Sequence, residues 1–294
     1  MSHSPLPSQS SILDSRSFLA CGRFRLVLDR PLVMGVLNLT PDSFSDGGKY
    51  LEPGAAIEHA RRLIDEGADL IDVGAESSRP GAAAVSAQEE LSRLMPVLLA
   101  LRDSAVPISV DTTKPEVMRA AVDAGAAMIN DIRALRSFGA LETVAAAGVG
   151  VCLMHMQGEP RAMQRAPHYD DVVEEVKEFL TGRVAAAEAQ GIARDRIVID
   201  PGFGFGKTVE HNFRLLRHLG RFVQIGLPVM AGWSRKSTLG AVTGRSADDR
   251  VASSVAAALL AVQRGARIVR VHDVAATRDA LAVLAATNGS DARP

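Results

Sequence analysis

The segment DPGFGFGKT, residues 200–208, closes on Gly206-Lys207-Thr208, the ending of a phosphate-gripping loop. Such a loop cradles phosphate on consecutive backbone N–H groups and needs a glycine five residues before the last one. Pro201 stands there instead. Proline has no N–H and a fixed φ, so the cradle would lack its first member. Asp200, a carboxylate, directly follows the apolar run Ile197–Ile199.

Other polar residues hold the same relation to short apolar runs. Asn38 follows Val33–Leu37, Asp111 follows Pro107–Val110, and Asn130-Asp131 follow Ala127–Ile129. His155 follows Val149–Met154, the run Pro228–Ala231 leads into GWSRKS, and the run Ile268–Val271 carries Arg270 ahead of His272. Arg270 and His272 are two apart, so on a strand they share a side and could grip an anion, the arginine bidentately. Pairing of Arg270 with a neighbouring acid is the alternative. The chain has no H-E-x-x-H, no C-x-x-C and no clustered histidines, which argues against a tightly held transition metal. A hard cation brought by a phosphorylated substrate still fits, because Mg²⁺ needs few protein ligands.

These residues need elements that converge their ends. The eight apolar runs, with Leu70–Val73 as the second, alternate with amphipathic stretches. Ala56, Ala60, Leu63, Ile64 and Gly67 share one helical face, as do Leu91, Leu94, Met95 and Leu98, and Val251, Val255, Ala258, Leu259 and Val262. Ser86…Glu89 and Thr113…Glu116 have capping-box spacing, and Gly67, Gly125, Gly148, Gly191 and Gly265 stand where helices should stop. Strands alternating with helices pair in parallel, and eight such units predict a closed (β/α)₈ TIM barrel rather than an open doubly wound sheet. Its active site then lies at the strand C-termini. The long connections 38–49 and 74–85 read as functional covers, or else as variable surface loops.

The alternation around Cys21-Gly22-Arg23 predicts a short N-terminal β-hairpin. Residues 1–17, Ser-rich with two prolines, read as a disordered tail, and 18–290 as a single domain. With 294 residues and a net charge of −1, general attraction to nucleic acid or anionic membrane is not expected. No apolar run nears the ~18 residues of a membrane span, and the start lacks a signal-peptide pattern, so a cytoplasmic protein is expected. Cys152, inside VGVCLM, reads as a buried structural thiol.

Taken together, MGVLNLTPDSFSDGG, IDVGAESSRPG, SVDTTKPEV, INDIR, CLMHMQGEP, DPGFGFGK, GWSRKS and RVHDV closely resemble the dihydropteroate synthase family, in the family's order, over roughly Pro31 to Ala286. The resemblance implies condensation of 6-hydroxymethyl-7,8-dihydropterin diphosphate with p-aminobenzoate, with Mg²⁺ required, in a homodimer. Asp111, Asn130, Asp200 and Lys236 would recognise the pterin, with Met154, Phe205 and Gly232 around the ring. Asn38, Ser78, Arg79, Arg270 and His272 would meet the diphosphate, Asn38 also the Mg²⁺. Phe44, Ser78, Arg79, Pro80, Lys236 and Ser237 would border p-aminobenzoate, the side where sulfonamides would compete. Asn38, Arg79, Lys236, Arg270 and His272 would carry catalysis, by an SN1-like loss of diphosphate. Ser78 stands where the family more often has threonine, which keeps the hydroxyl and loses a methyl. A catalytically silent pterin-binding paralogue is the competing expectation.

Overall fold

A two-stranded hairpin opens the described chain: β1 (Phe18–Cys21) and β2 (Phe24–Val27) pair antiparallel about Gly22, whose φ of +54° suits glycine. The computed structural model describes residues 17–40, 53–77, 85–159 and 162–289. Of the expected tail, 1–17, all but the last residue lies outside them.

Eight parallel strands follow: β3 (Leu32–Asn38), β4 (Leu70–Gly74), β5 (Ile108–Asp111), β6 (Met128–Asp131), β7 (Gly150–Met154), β8 (Ile197–Asp200), β9 (Met230–Ala231) and β10 (Ile268–Val271). Each contains or overlaps one of the apolar runs. They pair in the order β8-β7-β6-β5-β4-β3-β10-β9, and a bridge between Ile199 and Val229 joins the two ends. The result is the (β/α)₈ barrel expected from the alternation.

Helices α1 (Pro53–Asp65), α2 (Ala87–Ala100), α3 (Pro115–Asp123), α4 (Ala140–Ala147) and α5 (Val172–Ala189) serve the first half. Helices α6 (Val209–Arg217), α7 (Gly220–Val223), α8 (Ser237–Thr243), α9 (Val251–Gln263) and α10 (Val274–Thr287) serve the second. Outward strand residues such as Ile71, Val73, Val151 and Val269 join the helices in one large apolar layer. The five stop glycines all have positive φ.

Two local expectations change. Ser86 caps α2 by accepting from Glu89 N at 3.1 Å, but the Thr113…Glu116 box does not form. Lys114 is the N-cap of α3 because Pro115 takes the first helical turn, and its ammonium is drawn to Glu76 and Glu90 at 2.5 and 2.6 Å. On α9 the buried stripe is Ser254, Ala257, Ala258 and Ala261. Small residues let the helix approach closely, and Val251, Val255, Leu259 and Val262 are left only half-buried.

The barrel floor is apolar and the hairpin stoppers it. Leu19 and Cys21 pack with the inward Leu32, Met34, Leu70, Met128, Cys152, Val198, Met230 and Ile268. Both cysteines are buried and free, and burial pushes the Cys21 thiol up to about 12, so neither is a ready nucleophile. The seat depends on Gly150: a Cβ there would lie 2.9 Å from Cys21 Sγ and 3.1 Å from the Ala20 carbonyl oxygen. Gly150→Ala is therefore expected to destabilise the fold by about 1–3 kcal/mol through overpacking. A urea midpoint equal to that of the unmodified protein would show that the hairpin is not seated this tightly.

Candidate active site

Strand alternation turns the barrel interior from apolar to polar towards the strand C-termini. Along β4, Leu70, Asp72 and Gly74 share the inward side while Ile71 and Val73 face the helices. Register sets Asn38, Gly74, Asp111 and Asn130 side by side in one row. Val36, Asp72 and Ser109 form the row below.

Asp72 is the hub of this interior. Its fully buried carboxylate accepts from Ser109 Oγ at 2.6 Å, Asn130 Nδ2 at 2.9 Å and Arg270 Nε at 2.6 Å. Arg270 Nη2 also reaches Asp111 Oδ2 at 3.3 Å. Burial opposes the guanidinium charge, but Asp72 and Asp111 more than offset it and raise the Arg270 pKa. Arg270 is thus acid-paired, the alternative reading of the sequence, on the inner face of the polar end. Burial and the charge of Asp72 push the Asp111 pKa up, against Arg270.

Asn130 is oriented by chemistry. Asp72 can only accept when ionised, so the amide nitrogen of Asn130 faces it, and the buried Oδ1 has no protein donor. A ligand N–H would satisfy that oxygen.

Asp200 and Lys236 supply opposite charges across from this row. Asp200 Oδ1 accepts from Gly202 N at 2.7 Å; burial raises its pKa, and Lys236, that N–H and Lys207 oppose the rise. Lys236 precedes α8, and its Nζ donates to the Phe203 carbonyl and lies 4.7 Å from the centre of the Phe205 ring. Burial lowers its pKa to about 8, with Asp200 holding it up. Gly232 leaves room, since a Cβ there would stand 3.9 Å from both Lys236 Nζ and Arg270 Cβ. Met154 and Phe205 join Ile132, Met156 and Met163 in an apolar wall.

His272 follows β10. Its N–H donates to Ser234 Oγ at 3.1 Å, and its Nδ1 lies 2.9 Å from the same oxygen. When the Ser234 hydroxyl donates to Nδ1, Nε2 is left as the ring's donor. Asn38 is half-buried at the end of β3, and Ser237 is exposed at the start of α8. Phe44, Ser78, Arg79 and Pro80 lie outside the described residues.

Residues 200–208 form no phosphate cradle. Thr208 Oγ1 accepts from His211 N at 3.1 Å in a capping box that starts α6, and the Lys207 ammonium is buried among protein acceptors. Both residues that would reach phosphate are used by the fold.

The model of a family described as pterin binding enzyme matches residues 34–272. An Escherichia coli dihydropteroate synthase is 50% identical over 263 residues, which cover 89% of this chain and 93% of that protein. The chain belongs to the dihydropteroate synthase family. A Xanthomonas albilineans dihydropteroate synthase solved with 4-aminobenzoic acid is 56% identical, with a TM-score of 0.88 over 96% of this chain and 100% of that one. Another structure of the enzyme from that organism, in complex with 7,8-dihydropteroate, is 51% identical with a TM-score of 0.83 over 94% and 99%.

The sequence signals leave out Asp72 and Ser109, and Lys207 enters them only as the ending of a phosphate-gripping pattern. The first two sit inside strands, below the strand exits where polar residues were sought. The period-two pattern of LIDVG and ISVD was the available signal, since it puts Asp72 with Gly74 and Ser109 with Asp111 on the inner side.

Proposed function

We propose that this chain condenses 6-hydroxymethyl-7,8-dihydropterin diphosphate with p-aminobenzoate, giving 7,8-dihydropteroate and diphosphate. The observation that carries this reading is the inward set Asp200, Lys236 and Asn130, whose unpaired Oδ1 matches a heterocycle that offers adjacent N–H donors and a carbonyl. Asp200 accepts from the ring, Lys236 donates to its carbonyl, and Asn130 Oδ1 takes a further N–H. Met154 and Phe205 wall the ring, and Asp111 borders it beside Arg270.

Arg270 and the Nε2–H of His272 receive the diphosphate, with Ser78 and Arg79. The methylene C–O bond breaks with its electron pair leaving on diphosphate, and the electron-rich dihydropterin carries the resulting cation. The cationic groups at the mouth stabilise the departing charge. The arylamine of p-aminobenzoate, bordered by Phe44, Pro80, Lys236 and Ser237, attacks the methylene carbon and then loses a proton to water. Its lone pair is free at neutral pH, so the path needs no general base.

The oxygen-rich donor set suits Mg²⁺, with the Asn38 amide as its protein ligand. Mg²⁺ keeps several waters and is commonly held through substrate phosphates, so one protein ligand beside the diphosphate would be enough. When bound, it would neutralise diphosphate charge.

No helix among the described residues is long and apolar enough to cross a membrane. Two buried free cysteines fit a reducing cytoplasm. The half-buried stripe of α9, with Leu260 40% and Val242 58% exposed nearby in the chain, fits a homodimer contact. Sulfonamides, sharing the arylamine of p-aminobenzoate, compete at its site.

The decisive test is diphosphate release. It should require both substrates together, and pterin binding without any release would favour the catalytically silent alternative. The pH profile is a second check: pterin affinity should fall above about pH 8, as Lys236 loses the proton it donates. The limit is about tenfold per pH unit for one proton. Affinity unchanged to pH 10 would remove Lys236 from ring recognition.

A further inference from the structure

The turn 202–206 is held by neither strand nor helix, yet it carries Phe205 and the N–H that binds Asp200. Gly202 has a φ of +71° and Gly206 a φ of +62°; Cβ atoms there would lie 1.9 Å from the His155 carbonyl oxygen and 2.4 Å from that of Gln157. The turn therefore lies backbone against backbone on residues 155–157. Carbonyls packed this closely need a donor.

Lys207 supplies it. Its Nζ donates to the Gly202 carbonyl at 2.9 Å and the Phe205 carbonyl at 3.0 Å, with the His155 carbonyl at 3.4 Å, and lies 2.9 Å from His155 Nδ1. All four partners are acceptors. Burial holds the His155 pKa well below the usual imidazole range, so its ring is neutral, and Nδ1 is the acceptor when it faces an ammonium, which has only protons to offer. An ammonium has three protons for this shell, whereas a neutral amine has two. Burial pulls the Lys207 pKa down, and the carboxylate of Asp200 opposes that. His155 is wedged in turn by Phe179, at 4.8 Å between ring centres, and Tyr169 Oη donates to the Gly206 carbonyl at 2.9 Å.

We propose that Lys207 is a positioning residue of the pterin site, its ammonium drawing the carbonyls of Gly202 and Phe205 onto His155. The clamp aims Gly202 N–H at Asp200 and sets Phe205 beside Lys236. This rests on the pterin reading above and deepens it: specificity for the ring depends on a lysine that never touches it.

Lys207→Met and Lys207→Gln test the clamp, read by steady-state kinetics and calorimetry. The expected result is a KM for the pterin diphosphate raised about tenfold or more, with the KM for p-aminobenzoate at saturating pterin within about threefold. A lower melting temperature with both KM values unchanged would mean a merely structural lysine and overturn the proposal. Should neither variant fold, Nζ resonances of ¹⁵N-lysine in the unmodified protein decide: an exchange-protected ammonium at pH 7 supports the clamp, a neutral amine overturns it. Asp200→Asn in the same assays separates the two readings. If it keeps native pterin affinity, the functional reading fails; if it alone loses affinity, only the lysine clamp fails.

Discussion

Asp200→Asn is expected to weaken binding of the pterin diphosphate by about 10- to 150-fold, the ~1.5–3 kcal/mol of a buried contact with a charged group. The fold should survive the change. Asparagine can keep its oxygen on Gly202 N–H, where Asp200 Oδ1 now sits at 2.7 Å, so the turn loses nothing. That choice forces the new amide NH₂ towards the ring, donor against donor. The variant fails at the ligand because it succeeds at the turn. Lys236→Ala should lose affinity in the same range by removing the donor to the ring carbonyl. Calorimetric titration with the pterin substrate, beside a melting curve for each variant, is the measurement. Near-native affinity in either variant would reject that residue's role.

The fold was legible because its signals are local. An apolar run of about the right length recurs eight times, most runs have a polar exit, and five glycines mark helix stops; each signal depends only on residues near one another in the chain. Helix faces were less secure. In α9 the larger residues marked the apolar stripe, yet the barrel side took Ser254, Ala257, Ala258 and Ala261 because close packing favours small residues. The Thr113 capping box does not form because Pro115 takes the first helical turn and makes Lys114 the N-cap, and Glu76 and Glu90 from two other segments hold the Lys114 ammonium.

The candidate site was legible at its rim and opaque below it. Asn38, Asp111 and Asp200 each end a strand and Asn130 stands one residue before the end of β6, so position alone marked them. Asp72 lies two residues short of its strand's end and meets a partner 198 residues away, a pairing that only barrel closure creates. The same closure turns DPGFGFGKT from an apparent anion cradle into a carbonyl-lined turn, because what Lys207 binds comes partly from the neighbouring strand's exit.

Asp72→Ala should destabilise the protein by about 3–5 kcal/mol, the range for removing one partner of a buried ion pair. The substitution strands three donors at once. Ser109 Oγ and Asn130 Nδ2 lose their acceptor, and Arg270 keeps only Asp111 at 3.3 Å. Most of the cost comes from the guanidinium left under-compensated, so it should be recoverable. Adding Arg270→Met to Asp72→Ala removes the stranded charge and is expected to restore part of the lost stability, the non-additivity of residues in contact. The double variant should nonetheless stay inactive, since Arg270 is also proposed to receive the diphosphate. Urea unfolding of the two single variants and the double gives the coupling. Asp72→Ala within about 1 kcal/mol of the unmodified protein, or a double variant no more stable than that single one, would show that Asp72 is not the charge that holds Arg270 in the barrel.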